Sequence, residues 1–488
     1  MNDTSHTLLV LDIGSSSVRT SLFDGQAEPI FGASISREHS LDYSIPGAAV
    51  CDARTLRGLI ETCIDDLLTH PRAKYITAVC AAAFADSLVG LDERGTPLTP
   101  VYTYADVRAS SAIPDLRARL DPAAVHQRTG CVLHPSHRPA KLAWLRQTEP
   151  ELFGQVQEWV DFPAYLYRAW LGDARSTFSI SAWSGLLDRQ HLVWDKPLLD
   201  AVGVGLDQLP LLIDFDEPLV GLRDAYRMRW SKLAEVPFYP AVGDGAAANV
   251  GAGAVGPDRV ALTVGTTAAL RRVLTDESSA LPAGLFGYRV SSKHHLIGGA
   301  TTEGGNIYAW ARSVLNVPDP VEDALLVRPP DAHGLTFLPL LAGERSPGYA
   351  LDATGSIVGL RMDTTPIDIL QAAMEGVALR LSQIYDLLAA PEEARIFAGG
   401  GVVRASRAWT QMIADALNRP LHIIDSDEVT ARGAAVLAMV ALTGKSLVEA
   451  ATSSYPATIR AVVEPNPEAA SILHAARERM SRLYAFRL

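Results

Sequence analysis

Two hairpin patterns of the same design, one near the start of the chain and one near its middle, constrain the fold more than any other feature. Residues 8–24 read as a strand, a Gly-Ser turn and a second strand, and residues 259–274 repeat that order. The turn of residues 14–16 aligns with the turn of residues 265–267. Self-similarity of this kind predicts two related domains that face each other. Two unrelated hairpins that share a glycine-hydroxyl turn are the alternative.

The segments between and after the hairpins alternate strand and helix patterns, which is typical of an α/β fold. A buried strand is predicted over Ile76–Ala83, and helices are predicted over residues 139–147, over residues 160–171 and from residue 366 onward. A chain of 488 residues is too long for one hydrophobic core. We therefore predict two domains, residues 1–240 and residues 241–488.

Charge and composition argue against several classes of partner. The formal net charge is −12 and no basic cluster is present, so we expect no binding to nucleic acid or to anionic membranes. No run of about 18 apolar residues occurs, which argues against a membrane span. The first residues lack the basic segment and the apolar core of a secretory signal. Four cysteines without metal-ligand spacing indicate unpaired thiols, and together these features predict a cytosolic protein.

The first hairpin carries a candidate metal and phosphate site. Asp12 lies in an apolar strand just before the turn, where a carboxylate is costly unless it is paired or binds a metal ion. The backbone N–H groups of Gly14, Ser15 and Ser16 can cradle phosphate oxygens, and Arg19 can neutralise them. Asp12 is therefore a candidate ligand of Mg²⁺, which prefers oxygen. The alternative is that Asp12 only caps its own turn.

The second hairpin keeps the turn and lacks the carboxylate. Thr263 stands where the first hairpin has Asp12, whereas Gly265, Thr266 and Thr267 preserve the pattern of a glycine followed by hydroxyls. This asymmetry predicts one metal site and two phosphate-binding turns.

Two further acidic positions are candidates for contact with a substrate. Asp244 stands between two glycines before an alanine-rich helix, where a carboxylate can accept the proton of a hydroxyl; an ordinary helix N-cap is the alternative. Asp106 and Arg108 are two residues apart, so in an extended segment both side chains face the same side. Such a pair suits a polyhydroxylated substrate, and a surface salt bridge is the alternative.

A glycine turn at residues 399–401 follows a strand and precedes a helix, which can admit the flat face of a nucleoside or allow close packing. Glu428, just before another predicted helix, is a candidate for the opposite wall of that pocket. Residues 251–256 match a GxGxxG pattern, but a strand rather than a helix follows it. The strand–turn–helix context of a dinucleotide site is therefore missing, which argues against a nicotinamide dehydrogenase.

The order of these motifs resembles that of the FGGY carbohydrate kinases over essentially the whole chain. The resemblance is carried by DIGSSSVRTSLFD, LVGLDERGTPLTPVYTYADVR, VGDGAAANVGAG, LTVGTT, FLPLLAGERSP, FAGGGVVRASRAWTQMIAD and EVTARGAAVLA. It implies two ribonuclease-H-like (actin-like ATPase) domains with ATP in the cleft between them. It also implies closure of the cleft around a sugar substrate.

The resemblance assigns a role to each matching position. It implies Asp12 as the Mg²⁺-linked aspartate and Asp244 as the catalytic base. By the same resemblance, the ATP-contacting residues are Asp12, Gly14, Ser15, Ser16, Arg19, Gly265, Thr266, Gly400, Gly401 and Glu428, and the sugar-contacting residues are Asp86, Tyr104, Asp106, Arg108 and Asp244.

The motifs are most similar to those of gluconate kinases, with xylulose kinases second, and an Arg108 that faces a carboxylate suits gluconate. Three departures from the family pattern bear on this choice. Asp86 stands where a histidine is usual, Tyr104 replaces a tryptophan, and Thr302-Glu303 replaces two asparagines. Asp86 and Glu303 are expected to repel a sugar acid, which leaves a neutral ketose or polyol open. A non-catalytic, actin-like sugar sensor and a homodimer also stay open.

Overall fold

The chain folds around two mixed β-sheets. The computed structural model describes residues 6–275, 280–317 and 319–487, so residues 1–5, on which the prediction of no secretory signal partly rests, lie outside the described residues. Up to residue 243 the strands are β1 (Thr7–Ile13), β2 (Ser17–Asp24), β3 (Pro29–Glu38), β4 (Val50–Cys51), β5 (Ile76–Ala83), β6 (Val89–Leu91), β7 (Val101–Tyr102), β8 (Glu158–Val160), β9 (Arg175–Thr177), β10 (Leu187–Asp188), β11 (Val193–Trp194), β12 (Leu211–Ile213) and β13 (Val242–Gly243). The helices up to residue 251 are α1 (Ala53–Leu68), α2 (Ile113–Arg119), α3 (Pro122–Thr129), α4 (Arg138–Thr148), α5 (Pro150–Gln155), α6 (Phe162–Trp170), α7 (Phe178–Trp183), α8 (Lys196–Val202), α9 (Asp224–Arg229) and α10 (Asp244–Gly251).

The rest of the chain builds the second sheet and its covering helices. Its strands are β14 (Arg259–Val264), β15 (Ala268–Leu274), β16 (Phe286–Arg289), β17 (His295–Thr301), β18 (Thr336–Leu338), β19 (Ser356–Val358), β20 (Arg395–Gly399), β21 (Leu421–Ile424) and β22 (Ile459–Val463). Its helices are α11 (Gly305–Val314), α12 (Val321–Leu326), α13 (Pro366–Leu387), α14 (Gly401–Ala405), α15 (Arg407–Leu417), α16 (Val429–Thr443), α17 (Leu447–Glu449) and α18 (Pro467–Arg487).

The two sheets share one connection pattern. The first sheet has the order β13-β5-β1-β2-β3, and the second has the order β16-β17-β15-β14-β20-β21-β22. In both, the leading strand of the hairpin is antiparallel to the next strand and parallel to a later one: β1 pairs with β2 and β5, and β14 pairs with β15 and β20. The predicted α/β fold with two ribonuclease-H-like, actin-like domains is confirmed.

Local sequence explains why the paired hairpins form. Every residue of β1 except Asp12 is buried, so the strand is held by packing on both faces of its sheet. In the two turns the glycine N–H closes the bend in a similar way: Gly14 donates to the Ser17 carbonyl and Gly265 to the Thr267 carbonyl, both at 2.9 Å. The predicted strand at Ile76–Ala83 and the helices predicted around residues 139–147, 160–171 and 366 onward are all present.

Helices α10 and α16 cross in direct backbone contact. A Cβ atom placed on Gly251 would lie 1.9 Å from the Val429 carbonyl oxygen, and one on Gly433 would lie 1.8 Å from that of Ala247. Only glycine permits this approach, because any side chain would force the two backbones apart. Since α16 also packs on β1 and β5, a helix from late in the chain covers the first sheet. One hydrophobic cluster therefore includes residues of both sheets and of both helices.

A second contact joins the two halves of the chain at α3. The Gly287 N–H donates to the Gly130 carbonyl at 2.9 Å, and a ring nitrogen of His126 lies 2.7 Å from the Leu285 carbonyl oxygen.

Strand β13 follows the predicted domain boundary at residues 240/241 and pairs with β5 of the first sheet, and the division of the chain there stays a prediction. Over the described ranges, no helix combines the length and the apolar character that a bilayer crossing needs.

The close helix crossing predicts opposite effects for two glycine-to-alanine substitutions. Gly433→Ala should lower the free energy of unfolding by about 2 kcal/mol or more, because its Cβ overlaps the backbone of α10. Gly58→Ala, in helix α1 where no atom lies within 4 Å of the new Cβ, should raise it by about 0.5–1 kcal/mol. Denaturant unfolding of both variants measures the difference. A Gly433→Ala protein as stable as the unsubstituted one would contradict the crossing.

Candidate functional site

Two glycine turns of the second sheet lie side by side. Strands β14 and β20 are parallel neighbours, with Thr263 opposite Gly399, so the turns that follow them meet at one edge of the sheet. Gly400 has a φ of +104°, and a Cβ there would lie 2.4 Å from the Val264 carbonyl oxygen. A Cβ on Gly265 or Gly401 would meet open space instead. The structure thus brings together the predicted second phosphate turn and the predicted nucleoside turn.

In the two hairpin turns, the backbone N–H groups that could bind a phosphate belong to the hydroxyl-bearing residues and not to the glycines. The N–H groups of Gly14 and Gly265 are used inside their own turns. In contrast, the N–H groups of Ser15, Ser16 and Thr266 form no backbone hydrogen bond with any described residue. The hydroxyl-bearing residues, rather than the glycines, therefore offer the amide donors that could bind phosphate oxygens.

Acidic groups flank Asp12 from two sides. Burial, followed by the charge of Asp244, raises the pKa of Asp12 from its usual 3.8 to about 6; Arg19 opposes this increase and Glu428 adds to it. Arg19 lies opposite Asp12 in the β1–β2 pair, and its Nη1 is 3.4 Å from Oε1 of Glu428. The structure therefore places the Glu428 carboxylate, predicted for the adenosine pocket, against the first hairpin.

The oxygens around Asp12 are suited to a divalent cation. Oε2 of Glu428 is buried and has no hydrogen-bond partner among the described residues. Buried carboxylate oxygens without partners are costly, and a hard cation with its waters satisfies them. Asp12 and Glu428 are the residues that could hold such an ion.

Asp244 is the first residue of α10 and lies in the same cleft. The helix has Gly243 at its N-cap position, so Asp244 is not the N-cap that we considered as an alternative. Its Oδ1 accepts a hydrogen bond from the Gly245 N–H at 2.7 Å. Burial raises the pKa of Asp244, and Arg271 and Arg345 oppose that increase. A carboxylate of raised pKa suits a general base.

The glycines on both sides of Asp244 seat an aromatic ring. A Cβ on Gly243 would lie 2.8 Å from Nε1 of Trp183, and a Cβ on Gly245 would lie 2.7 Å from its Cη2. Trp183 stacks in turn on Tyr288, with ring centroids 4.0 Å apart. Trp183 comes from α7 and Tyr288 from β16, so the aromatic pair beside Asp244 joins the two halves of the cleft.

The side chains of Asp106 and Arg108 bind each other through several hydrogen bonds. Nη2 of Arg108 donates to Oδ2 of Asp106 at 2.6 Å, and its Nε lies within 3.2 Å of both carboxylate oxygens. The Arg108 guanidinium also lies over the Trp144 and Tyr102 rings. Asp106 is 1% exposed, so the surface salt bridge that we considered is not what forms.

The extended geometry expected for the Asp106–Arg108 segment is wrong. The chain turns after β7, because the Asp106 N–H donates to the Thr103 carbonyl at 3.1 Å and Arg108 begins a short 3₁₀ helix. The two side chains therefore meet through a turn and not along one face of a strand. Tyr104 lies in the same turn and is 43% exposed.

Asp86 is buried beside cationic groups. Its φ is +59°, and its Oδ2 accepts a hydrogen bond from Nδ1 of His137 at 2.7 Å. Burial opposes protonation of His137, but Cys131 and Asp86 raise its pKa to about 10. Arg138 and Lys141, both fully buried, also act on Asp86. Oδ1 of Asp86 has no hydrogen-bond partner in the described part of the chain.

Comparison with known proteins identifies the family. The sequence profile of the N-terminal domain of the FGGY family of carbohydrate kinases matches residues 7–251, and that of the C-terminal domain matches residues 260–442. The chain belongs to the FGGY family. This kinase is 27% identical to the gluconokinase of Bacillus subtilis over 460 residues, or 90% of this chain and 88% of that protein. It is also 27% identical to the xylulose kinase of Escherichia coli over 456 residues, or 90% of this chain and 91% of that protein.

Solved structures agree with the family assignment. Gluconate kinase from Lactobacillus acidophilus matches this FGGY kinase with a TM-score of 0.90 at 26% identity, covering 98% of this chain and 97% of that one. Xylulose kinase from the same organism matches with a TM-score of 0.91 at 26% identity and the same coverage. The protein is therefore a carbohydrate kinase with the two-domain FGGY fold, and it uses ATP to phosphorylate a sugar.

Sequence reasoning missed several side chains of the cleft in this kinase. Arg271, Arg345 and Trp183 approach Asp244, and His137 pairs with Asp86. One signal is visible in hindsight: Arg271 interrupts an apolar strand at an inward position, between Ala269 and Val273.

The raised pKa of Asp12 predicts that this residue destabilises the folded protein when no cation is bound. The folded-state pKa of about 6 exceeds the usual 3.8, so the destabilisation is absent below about pH 4 and complete above about pH 6. In a chelator, Asp12→Asn should raise the free energy of unfolding at pH 8 by up to about 3 kcal/mol, and by much less at pH 4.5. Denaturant unfolding at the two pH values measures this. Asp363→Asn, at an exposed position, is the control; equal gains for the two variants would contradict the prediction.

Proposed function

We propose that this kinase transfers the γ-phosphoryl group of Mg·ATP to a hydroxyl of D-gluconate. Kinase chemistry follows from the family, and the choice of a sugar acid is the further step. The observation that carries this choice is the pairing of Asp86 with His137, at 2.7 Å, because it removes the main objection to an anionic substrate. A carboxylate that is matched by an adjacent imidazolium repels a second anion only weakly.

The other objection, Glu303, is also weakened by its surroundings. Burial raises the pKa of Glu303 to about 7, so about half of this carboxyl group is neutral near neutral pH. Its Oε1 accepts a hydrogen bond from the Ala342 N–H at 3.0 Å. The negative charge of both acidic departures from the family pattern is therefore reduced, at Asp86 by its pairing with His137 and at Glu303 by partial protonation.

Asp244 is the proposed base. It accepts the proton of the substrate hydroxyl as that oxygen forms a bond to the γ-phosphorus. The bond between the γ-phosphorus and the bridging oxygen breaks, and ADP leaves. Phosphoryl transfer of this kind depends mainly on positioning and on neutralised charge, to which proton abstraction adds about 10²–10⁴-fold in rate.

The remaining predicted residues position the nucleotide. Ser15, Ser16 and Thr266 offer amide donors to the phosphate oxygens, Arg19 supplies positive charge, and the turn of Gly400 and Gly401, which faces open space at Gly401, receives the adenosine. Mg²⁺ held by Asp12 and Glu428 would neutralise the triphosphate. Asp106 and Arg108 are proposed to contact sugar hydroxyls as a fixed pair, with Tyr104 beside them.

A ketose such as D-xylulose is the second candidate, because a relative named xylulose kinase is also 27% identical over 90% of this chain. A non-catalytic sugar sensor is less favoured, since it has no use for a buried carboxylate of raised pKa at position 244. The cytosolic location and the homodimer stay predictions.

Replacement of the base tests the catalytic assignment. Asp244→Asn should lower kcat by about 10²–10⁴-fold on every acceptor, because the amide cannot accept the proton. Binding of a non-hydrolysable ATP analogue, measured by calorimetry, should change by less than about threefold, because the phosphate turns are intact. Initial rates with D-gluconate, D-xylulose and glycerol measure turnover. Full activity of the variant would remove Asp244 as the base, and a wild-type enzyme that phosphorylates no acceptor would favour the sensor.

A further inference from the structure

Arg271 brings a buried positive charge to the acceptor end of the cleft. It lies in β15, opposite Ala261 on one side and Gly298 on the other. Because strand side chains alternate, it points to the same side as Ala269 and Val273, which belong to the hydrophobic cluster that Trp183 and Tyr288 share. The guanidinium of Arg271 therefore lies beside apolar side chains.

Two of the three guanidinium nitrogens of Arg271 lack a hydrogen-bond partner in the described part of the chain. Its Nε and Nη1 are both buried, and neither has a hydrogen-bond partner among the residues that the structure describes. Burial lowers the pKa of Arg271 to about 10, and the negative charge of Asp244 opposes that decrease. The residue is therefore charged at neutral pH while two of its donors are unused, which is costly unless a ligand completes them.

The position of Arg271 relative to Asp244 is fixed by packing. A Cβ on Gly245 would lie 3.3 Å from Nε of Arg271, so the guanidinium rests against the backbone that immediately follows the proposed base. Arg345 also faces this region, since its charge acts on Asp244, on Arg271 and on Tyr349. The charges of Arg271 and Arg345 therefore both act on the carboxylate that is proposed to receive the acceptor.

We propose that Arg271, supported by Arg345, binds the carboxylate of a sugar-acid acceptor and so selects acids over neutral polyols. The inference rests on the proposed function and names the group that recognises its substrate. A planar guanidinium can bind the two oxygens of a carboxylate through Nη2 together with either Nε or Nη1, and neither Nε nor Nη1 has a partner among the described residues. A site that leaves these donors unpaired when a neutral acceptor binds discriminates against that acceptor.

Arg108, the residue that the sequence suggested for this role, is less suited to it. Its Nε and Nη2 already donate to Asp106, and its charge is matched by that carboxylate. An added anion would have to compete with a bidentate partner that is 1% exposed. Arg271 has the opposite properties, because its donors are free and its nearest acidic neighbour, Asp244, is occupied by the acceptor hydroxyl during catalysis.

The test compares two acceptors that differ only at C1. D-Gluconate has a carboxylate there and D-sorbitol has a hydroxymethyl group. For Arg271→Met, the ratio of kcat/KM for gluconate to that for sorbitol should fall about 10- to 100-fold, mainly through the KM for gluconate. Arg271→Lys keeps the charge but not the planar guanidinium, so it should lower this ratio less than Arg271→Met does. Residual turnover of sorbitol and the thermal unfolding midpoint report whether each variant is folded.

Two other arginines serve as controls. Arg108→Met should lower kcat/KM for both acceptors and leave the gluconate-to-sorbitol ratio within about threefold, because the charge of Arg108 is already neutralised by Asp106. Arg361→Met, at an exposed position outside the cleft, should leave both rates unchanged.

Each outcome separates this inference from the proposed function. If wild-type enzyme phosphorylates D-gluconate and Arg271→Met lowers both acceptors equally, Arg271 acts on the phosphoryl group or on Asp244, and the carboxylate subsite is overturned. An unchanged ratio overturns it as well. If wild-type enzyme phosphorylates D-xylulose and not D-gluconate, the proposed substrate is overturned together with the subsite.

Discussion

The cleft of this kinase depends on how the fold holds like charges next to one another. Besides burial, the charges of Asp244 and Glu428 raise the pKa of Asp12, and within the same hairpin only Arg19 lowers it. Asp244 begins α10 and Glu428 immediately precedes α16, so the crossing of these helices helps to fix the positions of both acidic groups. The apolar packing that makes the two sheets stable also keeps these charges poorly solvated. These charges therefore destabilise the folded protein at the place where a nucleotide and a cation are proposed to bind.

Much of the fold can be predicted because its signals are local. The two hairpins are marked by a glycine-hydroxyl turn after an apolar run, and helix α13 is marked by apolar residues at helical spacing. The short strands are different: β13 has two residues and pairs with β5 across more than 150 positions of the chain. A pairing of that kind is decided by tertiary contacts, which carry no periodic signal in the sequence.

The site is predictable in its acidic residues and not in its cations. Asp12 and Asp244 stand out because a carboxylate between apolar or small residues needs a reason. Arg271 and Arg272 are adjacent in one strand and look alike in the sequence, yet Arg272 donates to the backbone carbonyls of Pro257 and Leu388 and has a structural role. The two glycines beside Asp244 lie against the ring of Trp183, and nothing in the local sequence indicates that contact. In both cases the missing information is which distant element packs against the residue.

The contact of Gly251 and Gly433 limits how the enzyme can move. A Cβ at either glycine would overlap the backbone of the other helix, so the two helices cannot shift along each other without losing this contact. Gly251 is seven residues from Asp244, which is about 10 Å along the helix, whereas Glu428 lies next to the contact. The crossing therefore fixes the proposed cation ligand directly and fixes the proposed base through about two turns of α10.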